Sequence, residues 1–187
     1  MYEVEVKAYL RDREAVIKKL QDLGCKFGGE LHQVDYVFIP QGASYPDFPL
    51  GTPALRLRKQ NDIYFLTLKI PQSSYQDCIE KEVSIPNGEK MLEILKLIGW
   101  NSIPTVEKRR IKTNFQDMEI VLDKVEFLGE FMEVEKIVTS ENPKDRTKTQ
   151  AELFAFLETL GISKEDRVID GKYDIMLYEI HKKLGVK

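Results

Sequence analysis

The sequence predicts an α+β fold built on a large antiparallel sheet or barrel. Eight runs of residues are typical of strands, either because apolar and polar residues alternate or because β-branched and aromatic residues are frequent. Segments of helical periodicity lie between these runs and after the last one. No low-complexity segment or linker divides the 187 residues, so we expect one domain over residues 1–187.

The first predicted elements are a strand and a helix. Residues Tyr2–Tyr9 alternate strictly in their pattern, which is typical of a strand. Asp12 can cap a helix that runs to about Leu23, where Gly24 ends it. After the next strand, the proline-containing segment 40–53 is interpreted as a long loop, and loops of that length are usually functional or disordered.

The remaining elements follow from the same signals. Asn61-Asp62 marks a hairpin turn, and Asn87 can cap a second helix that runs to about Ile98. A third helix is predicted over 151–160, and the tail over 164–184 has helical character with a break near Gly171. The strands predicted after the first are Leu31–Ile39, Ala54–Gln60, Ile63–Ile70, Cys78–Ile85, Ile103–Phe115, Met118–Val125 and Phe131–Val138, with a polar loop over 71–77.

Composition excludes several classes of protein. Lys and Arg number 28 against 31 Asp and Glu, a formal net charge of −3, which argues against a globally basic nucleic-acid binder. The charged N-terminus lacks the apolar region of a signal peptide, and no apolar run approaches the roughly 18–20 residues of a membrane span. Two cysteines are too few for a disulfide framework. We therefore expect a cytoplasmic protein with no nucleic-acid or membrane partner.

Charged side chains share strand faces and are sorted by sign. Glu-x-Glu occurs at 3/5, 80/82 and 133/135, whereas Arg-x-Arg occurs at 56/58 and Lys-x-Arg at 108/110. Same-face neighbours in a strand lie about 7 Å apart, where like charges repel by roughly 0.6 kcal/mol even in bulk water. A sheet with one solvated face is the ordinary explanation. The repeated repulsion, and the poor strand propensity of these residues, favour a ligand that compensates it.

The chemistry of the two charge sets indicates that ligand. Paired carboxylates offer the hard oxygens that Mg²⁺ or Mn²⁺ prefers, and paired guanidinium groups offer forked donors for phosphate oxygens. A polyphosphate with its metal ions would satisfy both sets at once. If eight strands close on themselves, these faces line a polar interior, but the pattern alone does not distinguish an open sheet from a closed barrel.

The same motifs, in the same order, resemble the CYTH superfamily, the triphosphate tunnel metalloenzymes. E-V-E-V-K at 3–7 is similar to the family's ExExK signature, and L-D-K-V-E-F-L-G-E-F-M-E-V-E at 122–135 to its Asp…LGxFxExE block. Between them lie counterparts of its RxR, lysine, ExE and KxR strands: A-L-R-L-R at 54–58, L-T-L-K ending at Lys69, E-K-E at 80–82 and E-K-R-R at 107–110. Q-V-D at 33–35 and Tyr173 also fit, so the resemblance covers residues 3 to about 177.

The resemblance implies an eight-stranded antiparallel β-barrel, or tunnel, with a charged interior and helices packed outside. It implies Mg²⁺ or Mn²⁺ as the cofactor and a small-molecule triphosphate as the partner, and it assigns catalysis to Lys7, Glu5 and Asp123. The implied metal ligands are Glu3, Glu5, Glu82, Asp123, Glu133 and Glu135. The implied phosphate ligands are Lys7, Arg56, Arg58, Lys69, Lys108, Arg110 and Lys112, the last of which shares a strand face with the two before it.

Within the superfamily the chain looks most like the class IV adenylyl cyclase group, which converts ATP to cyclic AMP and pyrophosphate. The main alternative is an inorganic, thiamine or nucleoside triphosphatase, in which Lys7 is a candidate proton acceptor if cationic neighbours depress its pKa. A non-catalytic polyphosphate- or nucleotide-binding module is the third hypothesis. The resemblance also allows a homodimer. The chain departs from the group at Val37 and at Lys172, where the group has Tyr and Ser.

Overall fold

A computed structural model describes residues 2–75, 77–169 and 172–185 of the chain. These residues contain four α-helices: α1 (Arg13–Asp22), α2 (Gly88–Leu97), α3 (Pro143–Thr159) and α4 (Tyr173–Leu184). They also contain ten strands: β1 (Tyr2–Tyr9), β2 (Leu31–Ile39), β3 (Ala54–Gln60), β4 (Ile63–Ser74), β5 (Asp77–Ile85), β6 (Asn101–Ser102), β7 (Val106–Phe115), β8 (Met118–Val125), β9 (Gly129–Val138) and β10 (Arg167–Val168).

Eight of the strands form a closed antiparallel barrel, which confirms the predicted fold class. Their order around the barrel is β1-β5-β4-β3-β2-β7-β8-β9. The barrel closes where β9 pairs with β1 in a ladder that runs from Tyr2 opposite Val138 to Tyr9 opposite Phe131. The short strands β6 and β10 add to β2 and β1 at the periphery of this ring.

Local signals account for where the first two helices begin. The Asp12 carboxylate accepts a hydrogen bond from the backbone N–H of Ala15 at 2.9 Å, and the Asn87 side chain does the same for Lys90 at 2.9 Å. Each cap satisfies one of the backbone donors that a helix start leaves without a partner. Both helices begin directly after the residues predicted to cap them.

Several boundaries differ from the prediction. The strands predicted from Ile103 and Phe131 begin at Val106 and Gly129, as β7 and β9, and three further differences are larger. Strand β4 continues to Ser74, because its hairpin with β5 pairs Ser74 with Asp77 across the segment predicted as a polar loop. Helix α3 begins at Pro143, after its cap Asn142 and eight residues before the predicted start. The pattern gives a later start because the first half of the helix is polar and has little apolar periodicity. The tail forms a 3-10 turn and β10 before α4 begins at Tyr173, and the predicted break near Gly171 lies outside the described residues.

The main hydrophobic core lies outside the barrel wall. The outward side chains of β1, Val4, Val6 and Ala8, pack with β8 and β9 against helices α1 and α3. Helix α2 covers β3 through Leu95, which packs against Leu57. The helices pack on the apolar outer face of the barrel. The charged face of the same strands therefore lines the interior. No helix among the described residues is long and apolar enough to cross a membrane.

Candidate active site: a charged cavity inside the barrel

The interior of the barrel is a polar cavity of about 420 Å³. Nearly all the side chains that the sequence predicts for the site line it, because strand alternation sends every second residue inward. The predicted site residues on its wall are Glu3, Glu5, Lys7, Arg56, Arg58, Lys69, Glu82, Lys108, Arg110, Lys112, Glu133 and Glu135. Asp123 is the exception: it lies behind Arg110 and has no exposed surface.

Three carboxylates form a cluster on one side of the cavity. Glu5 and Glu135 are directly opposite each other on β1 and β9, and Glu3 is two residues before Glu5 on the same face. One oxygen from each of Glu3, Glu5 and Glu135 lies within 4.8 Å of the others. Three carboxylate oxygens converging from two strands are the kind of donor set that hard divalent cations take, so these residues fit the metal that the family implies.

The negative charge of the cluster is only partly compensated, by Lys7 at 3.6 Å from Glu5 and Lys69 at 3.7 Å from Glu3. Burial, followed by the nearby Glu3 and Glu5 carboxylates, raises the pKa of Glu135 to about 8. Burial and the Glu133 carboxylate likewise raise the pKa of Glu5, although Lys7 and Lys69 oppose the shift. A bound cation would relieve both the lost hydration and the mutual repulsion.

Two of the other predicted metal ligands have their oxygens occupied by cations. Asp123 receives a bidentate pair of hydrogen bonds from Arg110, at 2.6 and 2.5 Å, and a third from the Tyr173 hydroxyl at 3.1 Å. Glu133 lies between Arg110, at 2.6 Å, and the Lys7 ammonium, at 3.1 Å. Burial alone would raise the pKa of Glu133, but Lys7 and Arg110 outweigh it and hold that pKa well below its usual range.

Glu82, also predicted as a metal ligand, lies apart from the three-carboxylate cluster. Its carboxylate accepts a hydrogen bond from Thr67 at 2.7 Å and lies 3.5 Å from Arg56. The side chain is 45% exposed, more than those of the clustered Glu3 and Glu5.

On β2, β3 and β7, two cations share one buried carboxylate. Arg58 donates to both oxygens of Asp35, at 2.6 and 2.8 Å, and the Lys108 ammonium lies 3.2 Å from the same group. Burial disfavours the charged form of Asp35, but Lys108 and Arg58 outweigh it, so its pKa falls well below the usual value. One carboxylate does not neutralise two cations. Burial, with the nearby Arg110 and Arg58, lowers the pKa of Lys108 to about 8 even though Asp35 opposes the shift.

Lys7 has the opposite electrostatic setting. Its ammonium lies 3.1 Å from Glu133 and 3.6 Å from Glu5, and 3.9 Å from the centre of the Tyr173 ring. Burial lowers the pKa of Lys7, but the two carboxylates reverse the effect and the pKa is raised. The condition under which Lys7 would accept a proton, a pKa depressed by cations, is therefore not met in this structure.

The remaining predicted cations lie at intermediate depth or toward solvent. Lys69 is ion-paired with Glu80 and lies 3.7 Å from Glu3. Arg56 donates to the hydroxyl of Thr67 at 3.2 Å. Lys112, with a side chain 38% exposed, pairs with Glu119 at 2.5 Å near the end of β7.

Several cavity residues lie outside the predicted set. They are Asp35, Glu80, Glu119, Lys172 and Tyr173 among others. Glu80 belongs to the Glu-x-Glu pair at 80/82, although the resemblance gives it no role. Strand alternation is a signal that could have found Glu119, because it shares an inward face with Asp123. Asp35 and Tyr173 match the family's motifs, but the resemblance gives them no role. Lys172 precedes a helix and has no periodic signal.

The 40–53 loop covers one end of the cavity. Its Phe48 is buried, packs edge-to-face on Tyr75 at 5.5 Å, and offers its backbone carbonyl to the Tyr75 hydroxyl at 2.5 Å. Tyr45 in the same loop donates a hydrogen bond to Asp174 at 3.2 Å. The structure thus joins the loop to the β4–β5 hairpin and to the start of α4, and makes this the aromatic end of the cavity.

Comparison with known proteins places the chain among proteins with the same fold. The family model described as the CYTH domain matches residues 1–171. A Methanocaldococcus jannaschii protein named "Putative adenylate cyclase" is 36% identical over 178 residues, which are 92% of this chain and 97% of that protein. The solved structure of the PH1012 protein from Pyrococcus horikoshii is 28% identical with a TM-score of 0.74, over 94% of this chain and 98% of that one.

A more distant solved structure has the fold alone in common. It is a Hippeastrum protein called a "putative adenylyl cyclase" and described as having a dominant triphosphatase activity. The two chains are 19% identical with a TM-score of 0.57, and the match covers 96% of each.

Proposed function

The chain belongs to the CYTH domain family, and from this premise we propose that it is a divalent-metal-dependent phosphoryl-transfer enzyme acting on a triphosphate. The observation that carries the proposal is the division of one cavity into a three-carboxylate cluster and a wall of Lys and Arg side chains. The first candidate activity is that of a class IV adenylyl cyclase, which the Methanocaldococcus relative and its name support at 36% identity.

Glu3, Glu5 and Glu135 are the proposed holders of Mg²⁺ or Mn²⁺. Each has a carboxylate oxygen within 4.8 Å of the others. When bound, such a cation neutralises charge on phosphate oxygens and makes the phosphorus more electrophilic. We assign Glu5 to this group in place of a separate catalytic role, because its position beside Glu135 already accounts for it.

Seven cations are proposed to hold the phosphate oxygens: Lys7, Arg56, Arg58, Lys69, Lys108, Arg110 and Lys112. Each would exchange part of an existing ion pair for a phosphate oxygen, so the side chains are positioned before the substrate arrives. Asp35, Asp123 and Glu133 are the carboxylates that hold several of them in place. We therefore propose Asp123 and Glu133 as positioning residues for Arg110 and Lys7 rather than as metal ligands.

In the cyclase reaction the 3′-hydroxyl oxygen of ATP forms a bond to the α-phosphorus as the bond to the β-phosphate oxygen breaks. The hydroxyl proton leaves to solvent, and pyrophosphate carries away the electron pair of the broken bond. The cations that surround the β- and γ-phosphates would stabilise this leaving group as its charge grows. Catalysis then depends on holding the triphosphate so that the hydroxyl lies in line with the bond that breaks.

A triphosphatase is the second candidate, because the same cavity would serve it. The oxygen of water would then form a bond to the terminal phosphorus as the bond from that phosphorus to its bridging oxygen breaks. The remaining diphosphate would leave with the electron pair, the proton of the water would pass to solvent, and the attacked phosphoryl group would be released as orthophosphate. The Hippeastrum protein shows that this fold accommodates such an activity in a chain also called a cyclase. A third candidate binds triphosphates without turnover. A homodimer, a cytoplasmic location and the absence of nucleic-acid or membrane partners stay predictions from the sequence.

One assay separates the three candidates. The purified protein is incubated with ATP, and separately with inorganic tripolyphosphate, in the presence of Mg²⁺ or Mn²⁺, and the products are identified by ³¹P NMR and chromatography. Cyclic AMP with pyrophosphate supports the cyclase. Orthophosphate without a cyclic product supports the triphosphatase, and binding without turnover supports the third candidate. If neither compound binds in calorimetry, the proposed function is overturned.

A further inference from the structure

Lys172 lies at the aromatic end of the cavity, just before the first residue of α4. Its ammonium is 5.3 Å from the centre of the Tyr75 ring and 6.0 Å from that of Phe48. These two rings belong to the β4–β5 hairpin and to the 40–53 loop. The side chain is therefore packed against the structures that cover this end, and its charge is directed to the cavity that it lines.

Lys172 differs from the other cavity cations in its partners. Lys7, Arg56, Arg58, Lys69, Lys108, Arg110 and Lys112 each have a carboxylate oxygen within 4.0 Å. Within the described ranges, Lys172 is the one basic side chain on the cavity wall that makes no such ion pair. Its ammonium lies over two aromatic rings, and a cation–π contact offsets only part of the cost of removing an ammonium from water.

The surroundings of Lys172 also contain a second cation. Lys69 and Lys172 both line the cavity, and they interact unfavourably. Burial first, and then Lys69, lower the pKa of Lys172, while Cys78, Asp174 and Glu5 oppose the shift. Two like charges that face one cavity are stabilised by an anion bound between them.

We propose that Lys172 is a phosphate-binding residue that contacts the phosphoryl group lying at the aromatic end of the cavity. The proposal rests on the proposed function, because it takes a triphosphate as the occupant. It adds an eighth cation to the seven that the family resemblance implies, and it places one end of the substrate beneath the 40–53 loop. The departure of this chain from the cyclase group at position 172 is then a difference in how that end of the substrate is held.

The test is a charge series at position 172, measured as the affinity of the metal-loaded protein for inorganic tripolyphosphate by isothermal titration calorimetry. The variants are Lys172→Arg, Lys172→Met and Lys172→Glu. Methionine keeps an unbranched chain of similar length over the two rings, so Lys172→Met removes the charge with little change in packing. Lys124→Met is the matched control, because Lys124 is an exposed lysine on β8 outside the cavity.

Binding should follow the charge at position 172. We expect Lys172→Met to weaken tripolyphosphate binding by about 10-fold or more, the size of one charge-assisted hydrogen bond. Lys172→Glu should weaken it further, while Lys172→Arg and Lys124→Met stay within about 3-fold of wild type. Thermal unfolding of each variant shows whether the fold is kept. If Lys172→Met does not fold, Lys172→Arg still tests the proposal. A loss of tripolyphosphate affinity in Lys172→Arg equal to that in Lys172→Glu would contradict it.

Failure of this inference can be told apart from failure of the proposed function. If wild type binds tripolyphosphate and Lys172→Met binds it equally well, Lys172 does not contact the anion and the inference is overturned while the function stands. The inference is also overturned if the arginine and methionine variants lose affinity equally, since the side chain would then act through its shape. If wild type binds ATP but not tripolyphosphate, the same charge series is measured with ATP and the same outcomes apply. If wild type binds neither compound, both proposals fall together.

Discussion

Arg110 and Asp123 form a bidentate ion pair that is closed off from solvent. The Nε and Nη2 of Arg110 donate to the two carboxylate oxygens at 2.6 and 2.5 Å, and Asp123 has no exposed surface. Arg110 also reaches Glu133 at 2.6 Å, so one guanidinium joins β7, β8 and β9. The pair gives the cavity wall a cation whose orientation is set by the fold before any substrate binds.

Loss of the Asp123 charge should destabilise the protein strongly. Asp123→Asn leaves the buried Arg110 with Glu133 as its charged partner and removes the second carboxylate, and breaking a buried ion pair costs up to about 3–5 kcal/mol. Urea unfolding followed by circular dichroism measures the change in the free energy of unfolding. Glu119→Gln is the control, because its ion pair with Lys112 is one-third exposed, at 32% and 38%, and should be worth less than about 1 kcal/mol. An equal effect of the two substitutions would contradict the role given to Asp123.

Metal affinity should depend on Glu135 and not on Glu82. Glu135→Gln removes one of three converging oxygens, so we expect Mn²⁺ binding to weaken by about 10-fold or more. Glu82→Gln should stay within about 2-fold of wild type, since Glu82 is engaged by Thr67 and Arg56 outside the cluster. Electron paramagnetic resonance of free Mn²⁺ measures both without substrate or turnover. A loss in the Glu82 variant alone would place the metal elsewhere in the cavity.

Triphosphate binding should take up protons near pH 8 through Lys108. Burial, with Arg110 and Arg58, lowers the pKa of Lys108 to about 8, so the group is increasingly neutral above that pH in the free protein. A bound phosphate favours the charged form and raises the pKa again, so affinity should fall above pH 8 and binding there should consume part of a proton. Calorimetry in two buffers of different ionisation enthalpy measures the uptake.

Lys108→Arg provides the control for that measurement. An arginine stays charged throughout this pH range, so its variant should show a flatter affinity profile and a smaller proton uptake with tripolyphosphate at pH 8.5. Protons that the triphosphate itself takes up are common to both proteins and cancel in the comparison. Identical profiles for wild type and variant would show that Lys108 does not change protonation on binding.

Tyr173 should contribute through both its hydroxyl and its ring. Tyr173→Phe removes the hydrogen bond to Asp123 but keeps the ring beneath Lys7, so we expect a loss of about 1 kcal/mol in the free energy of unfolding. Tyr173→Ala also removes the ring from its packing on Phe131 and Leu177, and should cost about 3–5 kcal/mol. Chemical denaturation of the two variants separates the effects. Equal losses would mean that the ring contributes nothing beyond its hydroxyl.

Only part of the helical structure is predictable from local pattern. Capping residues are local signals, which is why α1 and α2 begin where the sequence predicts. The pattern underestimates helix α3 because its first half packs on the barrel through a polar residue, Arg146, which is buried and ion-paired with Asp77. The apolar contacts, through Leu153 and Leu157, belong to the second half. The pattern also assigns the residues of β10 to a helical tail, since two strand residues are too few to show alternation.

The sequence by itself determined which side chains share a face. Alternation with a period of two places Glu3, Glu5 and Lys7 on one side of β1 whatever that strand pairs with. The sorting of charges by sign follows in the same way, and so does the expectation of a ligand that carries both metal and phosphate.

Only the tertiary structure decided which charges meet. Glu5 faces Glu135 because closure of the barrel sets the register between two strands that are distant in sequence. The contact of Arg110 with Asp123 is more local, because a two-residue turn joins β7 to β8 and sets their register. Strand register divides the acidic residues into a cluster of three carboxylates that two lysines compensate only in part and a set, Asp35 and Asp123 among them, held in close ion pairs with cations. It also brings Lys172, from the end of the chain, into the same cavity. Contacts of this kind depend on the relative positions of separate elements, which no local pattern contains.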